Sequence, residues 1–149
     1  MLEKDVGSEL VQGAALAGVR VWKLHNSEYQ RGVLDYLVWW KGGPLLQLEL
    51  KREKIDLKFD AGAKVYKALS SIQQSIFDDM AWGERGVLLA TGTDSLAALW
   101  LCKRTRAEPP TNFQMNFESH GAKFELNNKD ERKKSWAEIF ANLKRNLSA

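Results

Sequence analysis

A single cysteine, Cys102, stands among the 149 residues. That count excludes an internal disulfide and any zinc or iron–sulfur centre built from several cysteines. Histidines number two, and His120 has no second histidine at ligand spacing, so it is given no role. No apolar run approaches the ~20 residues that cross a bilayer. The opening Met1-Leu2-Glu3-Lys4-Asp5 has no apolar signal core, so a soluble cytoplasmic protein that makes no membrane contact is expected. Internal repeats and low-complexity stretches are lacking too. What remains is ordinary: 44% apolar and 28% charged residues, a balance that argues against disorder. The length suits one domain, in which roughly 68–70% of the unfolded chain's surface is buried.

A large excess of either charge is also missing, since 22 basic residues meet 19 acidic ones. The distribution is less even. Residues 1–102 carry 12 basic and 13 acidic side chains, whereas 103–149 carry 10 and 6. A basic end section on a near-neutral body fits a polyanion partner, or simply a solvated helix.

Apolar Val6, Leu10, Val11, Ala14 and Leu16 give a helix over Asp5–Ala17 that stops at Gly18, although Gly7 and Gly13 weaken it. Val19–Leu24 reads as a short strand. Val33–Trp40 and Leu45–Lys51 form a hairpin around Lys41-Gly42-Gly43-Pro44. Ala61–Trp82 reads as helix and Gly86–Ala90 as a buried strand. Thr93 or Asp94 then caps a helix carrying Leu96, Leu99 and Trp100 and ending at Cys102. Thr111–Leu126 holds one or two weak strands. The sequence Asn128-Lys129-Asp130-Glu131 resembles a capping box and opens a helix with Trp136, Ile139, Phe140, Leu143 and Leu147 on one face. The order α-β-β-β-α-β-α, followed by a C-terminal extension, indicates a mixed α/β domain.

The hairpin holds Asp35, Glu49 and Lys51. Glu49 and Lys51 are two apart on one strand and share a face. A three-residue loop, a type I turn followed by a left-handed glycine, sets Asp35 opposite Glu49. A two-residue loop sets it opposite Leu50 and facing away. The apolar pattern favours the longer loop, because Leu46, Leu48 and Leu50 then stand opposite Val38, Tyr36 and Leu34 on one core face. Opposed carboxylates repel, and a divalent cation is the natural compensation. A lysine beside such an ion orients a water or stabilises charge on a phosphate. The plain alternative is an exposed strand face on which the two acids never meet.

The run Gly32-Val33-Leu34-Asp35, then a glycine-turned hairpin, then Glu49-Leu50-Lys51, resembles the PD-(D/E)XK nuclease signature. It is most similar to the small stand-alone VRR-NUC nucleases of phages and bacteria. Glu3-Lys4-Asp5, Trp22-Lys23, Gly42-Gly43 and Leu69-Ser70-Ser71-Ile72-Gln73 fall in that family's order as well. Leu34 stands where the family has proline, and the 22 positions from Lys51 to Gln73 are longer than usual for it.

The resemblance implies a restriction-endonuclease-like α/β core over 1–102, a mixed sheet flanked by helices with an insertion around 52–67. Residues 103–149 are then a basic extension ending in an amphipathic helix, packed on the same domain or on a dimer partner. It implies a Mg²⁺- or Mn²⁺-dependent DNA endonuclease selective for branched DNA such as Holliday junctions, acting as a homodimer in a bacterial or phage-infected cell. Asp35, Glu49 and the Leu50 backbone carbonyl would bind the metal, and Lys51 would position the attacking water. Glu3 would add the acid of the first helix, with Glu9 as its competitor. Gln73 would contact the lysine or a phosphate.

His25, Asn26, Ser27 and Arg31 form a polar loop near this site and, with Lys54 and Lys58, are candidate nucleic-acid contacts. Adjacent Trp39 and Trp40 face opposite sides of their strand. One belongs to the core. The other shares the parity of Asp35 and packs on a helix, at a dimer interface or on a base. A rival class of function is a non-catalytic DNA-junction-binding or host-factor-binding phage protein on the same fold. A third is a nuclease that reads sequence, for which no base-reading element is visible.

Overall fold

The computed structural model describes residues 3–24, 34–52, 86–93, 96–104, 115–119, 122–123 and 129–147. Helix α1 (Glu3–Leu16) precedes strands β1 (Arg20–Lys23), β2 (Tyr36–Trp39) and β3 (Leu46–Lys51). Then come β4 (Val87–Gly92), β5 (Leu96–Arg104), β6 (Met115–Ser119), β7 (Ala122–Lys123) and helix α2 (Lys129–Leu147). The strands form one mixed sheet in the order β1-β2-β3-β4-β5-β6, with β7 pairing beside β6 on β5. All neighbours are antiparallel except β3 and β4. The expected helix over 61–82, the capping residue Asn128 and the 52–67 insertion beyond Arg52 lie outside the described residues. No helix among the described residues is long and apolar enough to cross a membrane.

Helix α1 ends where glycine permits it. Gly18 has φ +74°, a conformation that costs an L side chain about 1–2 kcal/mol. The Gly18 N–H donates to the Ala15 carbonyl and the Val19 N–H to that of Ala14, both at 3.0 Å. This is the Schellman pattern, and it satisfies carbonyls the helix leaves open. Val6, Leu10 and Ala14 are buried, while Leu16 is exposed. Leu16 follows Ala14 by two residues, so it points to the far side of the helix.

The glycines that weaken the helix by propensity are where it is approached most closely. A Cβ on Gly13 would lie 2.6 Å from the Lys133 carbonyl oxygen and 2.5 Å from the Trp136 Cβ, both on α2. One on Gly7 would meet the Tyr36 hydroxyl. Trp136, Ile139, Phe140 and Leu143 of α2 join Val6, Leu10 and Ala14 of α1 over a sheet face built from Tyr36, Val38, Leu46, Leu48, Leu50, Leu88, Ala90, Leu99 and Leu101. The C-terminal helix therefore packs on its own chain. Acidic Asp130 and Glu131 lie in its first turn, and Lys144 and Arg145 in its last, which matches the helix dipole at both ends.

One element differs from expectation. Residues 96–104 form a strand, antiparallel to β4 from Gly92↔Ala97 to Val87↔Cys102, and not a helix capped at Thr93 or Asp94 and ending at Cys102. Ala97, Leu99 and Leu101 are buried on one face and Ala98 on the other. A strand covered on both sides reads as a continuous apolar run, which periodicity does not separate from a buried helix.

Candidate metal centre on the β2–β3 hairpin

The hairpin register follows from its loop. Tyr36 pairs with Leu48, Leu37 with Gln47 and Val38 with Leu46, the register of a three-residue connection. The turn differs in detail from expectation. The Gly43 N–H donates to the Trp40 carbonyl at 3.1 Å, and the positive φ, +82°, belongs to Gly42. That places the left-handed residue third of four, as a type II turn requires. Gly43 instead lies against the Trp40 ring, where a side chain would collide. Trp40 is the tryptophan of the pair that enters the core.

Continued by one step, this register sets Asp35 opposite Glu49. The ladder ends at Tyr36, and Asp35 takes over the next position with its side chain: Oδ2 accepts the Leu50 N–H at 3.0 Å. The Asp35 carbonyl accepts the Leu24 N–H at 2.8 Å. Asp35 is thus tied to both strands that flank β2. Leu34, also buried, stands ahead of the ladder instead of extending the paired face.

Glu49 is a carboxylate at 2% exposure. On the adjoining strand it stands beside buried Leu89. Lys51 Nζ approaches its Oε1 at 3.5 Å, and the Asp35 backbone N–H donates to the carboxylate. Among the described residues no hydrogen-bond donor reaches Oε2, which is buried. Burial first, and then the Asp35 charge, push the Glu49 carboxyl up to about 8, against the pull of Lys51 and of these hydrogen bonds. The opposed carboxylates expected from the sequence therefore do feel each other.

The donor set suits a hard cation. Two carboxylates from adjacent strands are what Mg²⁺ takes from a protein, the rest of its shell being carbonyl oxygen and water. In an antiparallel strand the N–H and C=O of one residue point to the same neighbour. The Leu50 carbonyl therefore shares the side on which its N–H meets Asp35. Among the described residues no group of three or more His, Cys, Asp or Glu side chains is gathered for a metal. Among the described residues the groups that fit a cation here are the pair and the carbonyl.

The first-helix acids separate. Glu9 is buried and held by Arg132 of α2 through two 2.8 Å bonds, Nε to Oε2 and Nη2 to Oε1. It is committed to the helix–helix contact and not to the hairpin. Glu3 opens α1, with its side chain outside the described part, as are Gln73, His25, Asn26, Ser27, Arg31, Lys54 and Lys58.

Two features escaped sequence reasoning. Arg132 is one of several basic residues in α2, yet it turns inward onto Glu9. Trp22 stacks on Trp39, with ring centroids 6.2 Å apart and planes at 27°. The signal for the second was the spacing of Arg20 and Trp22, two apart on a short strand and so on one face. Comparison with family models, with curated proteins and with solved structures finds no match to this chain.

Proposed function

We propose that the chain is a metal-dependent DNA endonuclease on a PD-(D/E)XK-type core of the VRR-NUC kind. The observation that carries the reading is the hairpin register, which puts Asp35 and Glu49 side by side with Lys51 on Glu49. A mixed sheet flanked by helices is the architecture such a core requires. A pure binding protein has no need of two carboxylates that raise each other's energy.

In this reading Asp35, Glu49 and the Leu50 carbonyl hold Mg²⁺ or Mn²⁺, with Glu3 as a further acid. When bound, the metal supplies a Lewis acid for the scissile phosphate and the leaving oxygen. Asp35, fixed by the Leu50 and Leu24 amides, keeps its carboxylate in place as substrate arrives. Lys51 holds the attacking water and balances charge on the phosphate. The substrate is DNA, branched or duplex. Two copies of the chain would cut paired strands symmetrically.

The test uses labelled four-way junctions, flaps and linear duplex, in Mg²⁺ or in EDTA. Wild-type protein is expected to cut at least one of them in Mg²⁺ and none in EDTA. Asp35→Ala should abolish cutting, and Lys51→Ala should slow it about 10²–10⁴-fold, the usual worth of a positioned proton-transfer group. Absence of metal-dependent cutting on every substrate overturns the reading. Cutting that survives Asp35→Ala overturns the site.

A further inference from the structure

Among the described residues strand β1 is an edge of the sheet, and it carries a large apolar side chain turned to solvent. Trp22 is 65% exposed, one of three large apolar side chains so exposed among the described residues. It is held in place, because its ring stacks on the half-buried Trp39. Arg20 stands directly opposite Trp39, so it shares the face of both indoles. Exposed Lys23 follows Trp22. Arg20, Trp22 and Trp39 line an open cleft of about 420 Å³ together with Val11, Ala15 and Val19.

The register relates this cleft to the hairpin. Trp22 pairs with Leu37, Leu37 with Gln47, and Gln47 lies two residues before Glu49. Side chains two apart share a face. The indole and the carboxylate pair are therefore on the same side of the sheet, about 12 Å apart by strand spacing and rise.

Charge selects the occupant. Arg20 brings a positive charge to the face of the exposed indole, and exposed Lys23 adds another at the end of the strand. A nucleic-acid strand supplies the complementary charge: its phosphates meet the cations while an unstacked base meets the indole. Aromatic faces flanked by cations are the usual platform for unpaired nucleotides. We infer that Trp22, backed by Trp39 and flanked by Arg20, is a stacking platform for an unpaired base of single-stranded or branched DNA. The inference rests on the nuclease reading for its choice of DNA, and it names the part of the substrate that lies beside the cut.

Binding in EDTA tests it without any cutting. Fluorescence anisotropy of a labelled single strand, a flap and a blunt duplex is measured with full-length wild type, Trp22→Ala, Trp22→Phe and Arg20→Ala. Trp22 is exposed, so its removal leaves the core intact, and circular dichroism checks this. Trp22→Ala should bind single strand and flap about 10-fold more weakly, and duplex nearly as well as wild type. Trp22→Phe should recover most of the loss. Arg20→Ala should lower the salt dependence by about one counterion. Unchanged affinity of Trp22→Ala for every probe overturns the platform. So does sedimentation showing that Trp22→Ala dissociates a wild-type dimer without altering DNA binding. The two readings separate: metal-dependent cutting with Trp22→Ala binding normally removes the platform alone. Weakened Trp22→Ala binding with no cutting by wild type supports the platform and removes the nuclease.

Discussion

Glu49 sets the proton chemistry of the hairpin. Desolvation, then the Asp35 charge, raise its carboxyl to about 8 from the ordinary 4.5. Between those values the folded chain holds a proton that the unfolded chain has lost. The stabilisation is complete below the lower value and disappears as pH rises through the upper one. Without metal, the melting temperature should fall between about pH 6 and about pH 8.5, and Glu49→Gln should flatten that fall. Mg²⁺ should raise the wild-type melting temperature more at the higher pH, because a ligand must be deprotonated to bind. Thermal melts at both values decide it; equal Mg²⁺ shifts would count against Glu49 as a ligand. Asp35, Glu49 and Lys51 were legible in the sequence because strand parity and loop length leave few choices of register. The Leu50 amide on Asp35 was not, since nothing in the residues marks where a ladder stops.

Among the elements, α1 and α2 are joined through a buried ion pair, Glu9 with Arg132. Two 2.8 Å bonds between buried groups hold the helices in a fixed alignment, and Gly13 lets their backbones approach. Removing one partner leaves the other charge buried, which typically costs about 3–5 kcal/mol, whereas replacing both by apolar groups is often neutral. Arg132→Met should therefore lose about that much in urea unfolding, and Glu9→Met with Arg132→Met should recover most of it. An additive double variant would mean the pair is not coupled. Helix α2 was legible from its stripe of Trp136, Ile139, Phe140 and Leu143. Residues 96–104 were misread because Ala97, Ala98 and Leu99 suit a helix by propensity, while pairing with both β4 and β6 decides for strand. Pairing of that kind is invisible locally.

At the scale of the molecule, the section after residue 102 is built into the fold. It supplies β6 and β7 to the sheet and α2 to the core. A chain shortened to 1–128 would expose the faces of Val6, Leu10 and Ala14, and it is expected to lose cooperative unfolding and near-ultraviolet circular dichroism. A sharp transition in that shortened chain would show that α2 is dispensable. The sheet's first three strands could be read from the sequence because their contacts are local. The docking of α2 could not, because it joins residues more than a hundred positions apart. That separation has a consequence for how the chain is made. Glu9 leaves the ribosome 123 residues before Arg132, an interval on the order of ten seconds at ordinary synthesis rates. Throughout it the apolar face of α1 has no α2 to cover it. The nascent chain therefore completes its core only once α2 has been made, and until then that face is a natural substrate for a holding chaperone.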